Sequence, residues 1–328
     1  MADISNSQIR DQLLDRRSKL EDALVSYPKD SQLLRLLDEV DAAVARVNEG
    51  TFGLCEACKE AIEPERLIAD PLVHFCLDHM SPDQQRALEL DLKMASQIQN
   101  ELLPKHGFQV AGWETAYYYE GAGPVSGDYC DLLSHGDDLY FTVGDVSGKG
   151  VAASMLMAHL HATFRTLVSL ELPLDQVMQR ASSMFCQSTL SSHFATLVCG
   201  KADSSGEVEI CNAGHNPPLL IQGTSIEEIH ATGLPLGMFC DEQFSANTLR
   251  LAPGDTLLLY TDGLSEAQNT SGVEYGTERL FECVRTHRSL APENLISLCV
   301  ADLETFRSGG PKTDDLTLMV IKRLSRNP

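Results

Sequence analysis

Val125-Ser126-Gly127-Asp128-Tyr129-Cys130-Asp131, followed by Gly144-Asp145-Val146-Ser147-Gly148-Lys149-Gly150, reads as one hairpin flanked by aspartates Asp128 and Asp145. Two more acidic motifs lie downstream, Tyr260-Thr261-Asp262-Gly263 and Thr313-Asp314-Asp315-Leu316-Thr317. Each sets a carboxylate at a strand end or beside a glycine turn, where the backbone can hold an oxygen ligand rigidly. Asp-Gly alone is ordinary turn chemistry. Several such motifs in one chain predict a carboxylate constellation, with Asp262 after the apolar strand Leu257-Leu258-Leu259-Tyr260 and Asp314 just before the last strand. If the sheets stack, these ends converge.

Working outward, short apolar runs at 114–119, 138–143, 194–200, 208–212, 219–222, 256–261 and 316–322 are predicted strands. Helical blocks fall at 151–170 with 174–190, then 276–285 with 292–306. Mainly antiparallel strands with two helical blocks predict an α+β sandwich whose helices cover the outer faces of the sheets.

Carboxylates with no cysteine or histidine among them favour magnesium or manganese over zinc, because hard ions prefer oxygen ligands. Two such ions can share and activate one water and clamp a phosphoryl group for in-line attack, which is phosphomonoester hydrolysis. Lys149 in its glycine turn is open to two readings, a phosphate-attracting cation or a solvated turn lysine. His159 and His161, two apart on a helix, cannot face one ligand together. His215 in Asn212-Ala213-Gly214-His215-Asn216-Pro217-Pro218 reads as part of a rigid inter-strand turn.

The chain has 328 residues, enough for two domains, and a hydrophobic fraction of 43%, ordinary for a packed protein. No run is long and apolar enough for a membrane span, and the polar start Met1-Ala2-Asp3-Ile4-Ser5-Asn6 is not a secretory signal. The expected location is cytoplasmic. A net charge of −22 argues against a nucleic-acid partner. The ten cysteines are then not a disulfide framework. Cys130, Cys186, Cys199, Cys211, Cys240, Cys283 and Cys299 read as buried free thiols.

From Ser7 to about Asn48, apolar residues at helical spacing form a helical hairpin broken at Tyr27-Pro28-Lys29-Asp30-Ser31. Next come Cys55-x2-Cys58 and Cys76-x2-His79, paired-ligand spacing that fills all four tetrahedral positions of one structural zinc. His74 is the substitute if His79 points away. Ser81-Pro82-Asp83 starts a mostly polar helix with Leu88, Leu92, Ala95, Ile98 and Leu102 on one side, stopped by Pro104. Its narrow stripe suits packing on the next domain or pairing with the same helix of a second subunit, a homodimer.

The segment around residues 10 to 80, with Gly50-Thr51-Phe52-Gly53-Leu54-Cys55-Glu56-Ala57-Cys58 and Arg66-Leu67-Ile68-Ala69-Asp70-Pro71, resembles the DksA/TraR-type zinc finger, departing from its four-cysteine form at His79. That resemblance implies possible contact with RNA polymerase or an activator. Residues 108 to 325 resemble the metal-dependent PPM-type serine/threonine phosphatases of the RsbU/SpoIIE-like branch. The matching stretches are SGDYCD, GDVSGKGVAAS, FATLV, NAGHNPPLL, GLPLG, LAPGDTLLLYTDGLSEA and TDDLTLMV in family order. Gln97-Ile98-Gln99-x2-Leu102-Leu103-Pro104 is similar to that branch's preceding helix, which can act as a regulatory switch.

This second resemblance implies a PPM-type α-β-β-α sandwich acting on a phosphorylated anti-sigma-factor antagonist-like protein. It implies two manganese or magnesium ions bridged by Asp145, with the Val146 carbonyl, Asp128, Asp262 and Asp314 as further ligands. Asp131 and Asp315 are supporting or alternative ligands, and the choice between Asp314 and Asp315 stays open. Ser147 stands where eukaryotic relatives carry a histidine, leaving leaving-group protonation to water at the ions. The expected domains are 1–82, helical hairpin and zinc finger; 83–107, connector helix; and 108–328, phosphatase. A contrasting reading is a catalytically inactive or polymerase-associated binding protein led by the zinc module. The presence of every expected aspartate favours catalysis.

Overall fold

A computed structural model describes residues 6–325 except 27, 29, 64, 65, 68, 69, 81, 111, 191, 192 and 311. Tyr27, Lys29 and Ser81, named at the expected breaks, and Ile68 and Ala69, named in the zinc-finger run, lie outside the described residues, as do Met1 to Ser5. The chain divides into two compact units, Met1–Asp91 and Leu92–Pro328.

In the first unit α1 (Asn6–Ser26) and α2 (Ser31–Glu49) form the hairpin. Asp30 caps α2 by accepting from the Leu33 N–H at 3.1 Å. Leu13, Val40 and Ala43 meet Leu72 in a small buried cluster. Arg46 at the end of α2 donates to the Leu72 carbonyl at 3.1 Å and so ties the hairpin to the cysteine-bearing loops. A chain this small in core area gains much from a metal clip.

The helix α3 (Pro82–Leu102) contains the boundary between the units. In the second unit, the described residues include eleven strands that form two sheets, and each strand pairs with its neighbours antiparallel. Six belong to the first sheet: β1 (Gln109–Val110), β2 (Trp113–Glu120), β7 (Leu219–Gln222), β8 (Ser225–Glu228), β10 (Thr256–Tyr260) and β11 (Leu316–Arg323), in the order β1-β2-β11-β10-β7-β8. The second holds β3 (Asp128–His135), β4 (Asp138–Val146), β5 (Ala195–Ala202), β6 (Glu207–Ala213) and β9 (Asn247–Arg250), in that order.

Side-chain alternation separates three cores. Cys130, Leu132, Phe141 and Val143 of the second sheet meet Leu257, Leu259, Met319 and Ile321 of the first. The second sheet's other face packs on α4 (Val151–Val168) and α5 (Leu174–Ser188) through Met157, Phe164, Met178 and Phe185. Outside the first sheet, Leu258, Tyr260, Leu318 and Val320 meet Leu280 and Val284 of α7 (Thr277–His287) and Leu295 and Leu303 of α8 (Pro292–Arg307). Helix, sheet, sheet and helix therefore stack in the expected order. A one-turn helix, α6 (Asp262–Ser265), follows β10.

One expectation is corrected. Cys186 on α5 and Cys240 in the loop between β8 and β9 are disulfide-bonded with Cα atoms 5.6 Å apart, so they are not free thiols. Folding brings together two cysteines that lie 54 positions apart. No helix of the described residues is long and apolar enough to cross a membrane.

Candidate metal centres

The carboxylate site grows from strand parity. Asp128 shares the inward face of β3 with Cys130 and Leu132, and Asp145 continues the inward face of β4 beyond Phe141 and Val143. The two aspartates are directly paired in the β3–β4 register. On the facing sheet, Thr261 and Thr317 continue the inward rows of β10 and β11, and both hydroxyls donate to Asp128 Oδ2, at 2.9 and 2.5 Å. Thr317 N–H also donates to Thr261 Oγ1 at 2.9 Å, so the ends of β10 and β11 form one cradle around a fully buried carboxylate.

Asp262 is the first residue of α6, and Gly263 beside it faces the backbone of Asp314 and Asp315. A Cβ on Gly263 would lie 1.8 Å from the Asp315 carbonyl oxygen, so only glycine lets the Asp262 turn sit on the loop before β11. Asp315 itself is occupied. Its Oδ1 accepts from Ala122 N–H at 2.7 Å and its Oδ2 from Gly127 N–H at 2.9 Å. Asp314 Oδ1 instead faces Lys149 Nζ at 3.1 Å, while Lys149 also donates to the Thr313 carbonyl at 2.7 Å. Of the two adjacent aspartates, one anchors a loop and the other presents its carboxylate to a half-exposed surface.

The electrostatics report convergence. Burial, followed by repulsion from Asp145, holds the Asp128 carboxyl well above the usual range. Burial and then Asp262, Asp314 and Asp315 push Asp145 to about 7, against a partial offset from Lys149. Burial and Asp314 raise Asp262. Acids that raise one another in this way are relieved by a multivalent cation. The donor set is all oxygen, which fits magnesium or manganese. Asp128, Asp145, Asp262 and Asp314 are thus brought to one end of the sandwich.

Asp131 is not brought there. It lies three residues from Asp128, hence on the opposite face of β3, and forms a two-pronged ion pair with Arg165 of α4 at 2.9 and 3.0 Å. His161 Nε2 stands 3.6 Å from it. Ser147 and Phe194 bond reciprocally through backbone and hydroxyl, which fixes the turn after Val146. His215 bonds Thr196 Oγ1 at 2.9 Å, and Asn212 holds its backbone. It is therefore part of the rigid turn.

A residue with no role assigned from the sequence completes the site's support. Gln99 of α3 donates to the Ser126 carbonyl at 2.7 Å and accepts from Ser126 N–H at 3.0 Å, and it is buried. The amide thus clamps the strand entry that carries Gly127 and Asp128. Its presence in the Gln97-Ile98-Gln99 motif was the available signal.

In the first unit, the ligand atoms of Cys55, Cys58, Cys76 and His79 all lie within 4.8 Å of one another. Cys76 Sγ is 3.2 Å from His79 Nδ1 and 3.9 Å from Cys58 Sγ. Cys76 opens the one-turn 3-10 helix Leu77–His79, which points His79 back at the cysteines. Although burial opposes it, N–H groups of Cys58 and Cys76 turned on the Cys55 sulfur bring that thiol down to about 6. Three sulfurs and one imidazole in a closed cluster fit zinc. His74, the substitute, lies 3.3 Å from the Leu72 carbonyl and is outside the cluster.

Comparison with known proteins agrees with both halves. The family Stage II sporulation protein E (SpoIIE) matches residues 135–324, and the prokaryotic dksA/traR C4-type zinc finger matches residues 50–78, ending one residue before His79. The chain is 28% identical to Protein IcfG of Synechocystis over 71% of this chain and 42% of that protein. It is 25% identical to phosphoserine phosphatase RsbP of Bacillus subtilis over 72% of this chain and 58% of that protein. It therefore spans about half the length of these relatives. The solved RsbU and RsbW domains of a Mycobacterium tuberculosis protein are 31% identical, with a TM-score of 0.58 over 67% of this chain and 62% of that one.

This chain belongs to the Stage II sporulation protein E family.

Proposed function

We propose, from that membership and the site, that this chain is a metal-dependent protein serine/threonine phosphatase. Its substrate is a phosphorylated regulatory protein of the anti-sigma-factor antagonist class. The observation that carries the reading is that Asp145, paired with Asp128 across β3 and β4, is raised by burial and then by Asp262 and Asp314 from two further stretches, with Lys149 at 3.1 Å from Asp314. Divalent ions bound there supply charge neutralisation and water activation for phosphoryl transfer.

The chain's own residues do the positioning. Asp145 feels Asp262 and Asp314 together, and with them, Asp128 and the Val146 carbonyl it would hold the ions. A Cβ at Gly127 would lie 2.9 Å from the Val146 carbonyl oxygen and 3.3 Å from Asp145 Oδ1, so glycine there keeps both oxygens clear. Thr261 and Thr317 orient Asp128, and Asp315 fixes the loop that Gly127 ends. Lys149 holds the Asp314 segment and leaves a cation at the rim for the substrate phosphate.

The zinc-bearing unit is a regulatory module that receives a protein partner, an activator or RNA polymerase, and the enzyme works in the cytoplasm. Exposed Met94 and Ile98 on α3 offer a face for a homodimer. The test is manganese-dependent phosphate release from phosphoserine antagonist proteins by wild type and Asp262→Asn. Turnover by wild type, abolished in the variant, supports the reading. Absence of metal-dependent turnover across several such phosphoproteins overturns it.

A further inference from the structure

Outside the metal centres, α7 and α8 bring two cysteines together. Cys283 Sγ and Cys299 Sγ are 3.8 Å apart, and His287 Nδ1 lies 4.0 Å from the Cys283 sulfur while bonding the Cys283 carbonyl at 2.9 Å. The apposition is fixed by a clamp one turn away. Arg279 grips Asp302 through two bonds of 2.8 and 3.0 Å, and Tyr275 O–H donates to Asp302 at 2.7 Å. Cys283 is partly exposed and lines a cavity of about 470 Å³ with Arg279, Thr286 and His287. Cys299 is fully buried behind it.

We propose that Cys283 and Cys299 form a peroxide-reactive thiol pair, with Cys283 the attacking sulfur and Cys299 the resolving one, closing to a disulfide between α7 and α8. The Cys283 thiolate attacks one oxygen of a hydroperoxide; the O–O bond breaks, sulfenic acid forms and hydroxide (or alkoxide) leaves. That base takes the Cys299 proton. The Cys299 sulfur then attacks Cys283, the S–O bond breaks, and the departing hydroxyl leaves as water with a proton from solvent. Overall two thiols are oxidised and one peroxide is reduced. The sulfurs must approach from 3.8 Å to the usual bond of about 2.05 Å, a shift that helix side chains can share.

The charge environment agrees with the assigned order. The sulfur–sulfur contact with Cys299, with help from His287 and against burial, brings the Cys283 thiol down to about 6, whereas the same contact and burial push Cys299 far up. Burial holds Cys130 and Cys199 well above the usual thiol range and Cys211 at about 12, which makes them slow internal references.

The experiment exposes the full chain to near-stoichiometric hydrogen peroxide, blocks free thiols and maps the peptides. The Cys283–Cys299 linkage is expected to form at least about tenfold faster than oxidation at Cys130, Cys199 or Cys211. In Cys299→Ser and Cys299→Ala, dimedone is expected to capture a sulfenic acid on Cys283; in Cys283→Ser, Cys299 stays reduced. A cooperative urea transition, measured on each variant, reports that it is folded. Oxidation of Cys283 no faster than of the buried thiols overturns the proposal. So does a wild-type Cys283 that proceeds to sulfinic acid without linking to Cys299.

Discussion

Asp314 and Asp315 are neighbours with opposite expected phenotypes. Asp315 is buried, and each of its carboxylate oxygens accepts one backbone N–H. Bonds to a charged acceptor contribute about 1.5–3 kcal/mol each. Asp315→Asn keeps one oxygen and turns an NH₂ toward the other N–H, losing one bond and stranding a donor, for about 2–4 kcal/mol. Relief of repulsion with Asp145 returns about 1 kcal/mol. The net loss is about 1–3 kcal/mol, read as a lower urea midpoint at unchanged slope. Asp314 pairs with a largely exposed Lys149, side chains 41% and 63% accessible, so Asp314→Asn costs under about 1 kcal/mol of stability. Removing a partner behind a metal ligand typically costs 10–100-fold, so a lost ligand should lower manganese-dependent kcat/KM by more than about 100-fold. Urea unfolding and a manganese titration of phosphate release, run on both variants, separate the roles. An Asp315→Asn protein of undiminished stability, or an Asp314→Asn protein of near-normal activity, refutes the assignment.

Gln99→Ala removes both bonds to Ser126 and should cost about 2 kcal/mol while raising the manganese concentration needed for half-maximal activity; a variant unchanged in both would reduce α3 to a tether. His215, pushed down to about 4 by burial, stays neutral in the fold while the unfolded chain takes up a proton near pH 6.5. Stability should therefore fall as pH drops from about 6.5 toward 4, by about 2 kcal/mol between pH 7 and 5, and this component should vanish in His215→Gln; equal pH slopes in urea unfolding would contradict it. Cys55→Ser should lose the bound zinc equivalent by metal analysis and loosen the first unit, whereas a full retained equivalent would exclude Cys55 as a ligand.

What the sequence disclosed and what it hid follow from the range over which each pattern operates. Zinc ligands come in local pairs, so spacing alone drew Cys55, Cys58, Cys76 and His79 together, with His74 as the substitute, and the 3-10 turn after Cys76 brings His79 to the cysteines. The apolar strands β7, β10 and β11 stood out because both their faces are buried. The edge strands β8 and β9 are mostly exposed and polar, and carry no comparable period. Cys186 and Cys240 carry no local signature because only the packing of a loop on α5 joins them.

The metal site tests the same principle at a single strand. Asp128 and Asp131 fall in one acidic motif, and the motif alone treats them as equivalent. A strand does not: an odd separation sends them to opposite faces, one toward Thr261 and Thr317, the other toward Arg165. Even parity ties Asp128 to Cys130 and odd parity ties Asp145 to Val143, so both carboxylates sit where the inter-sheet core runs out. There the residues that would otherwise be apolar are threonines and aspartates. The acidic cluster is thus the solvent end of the sandwich core, held in register by the strand pairing that builds that core.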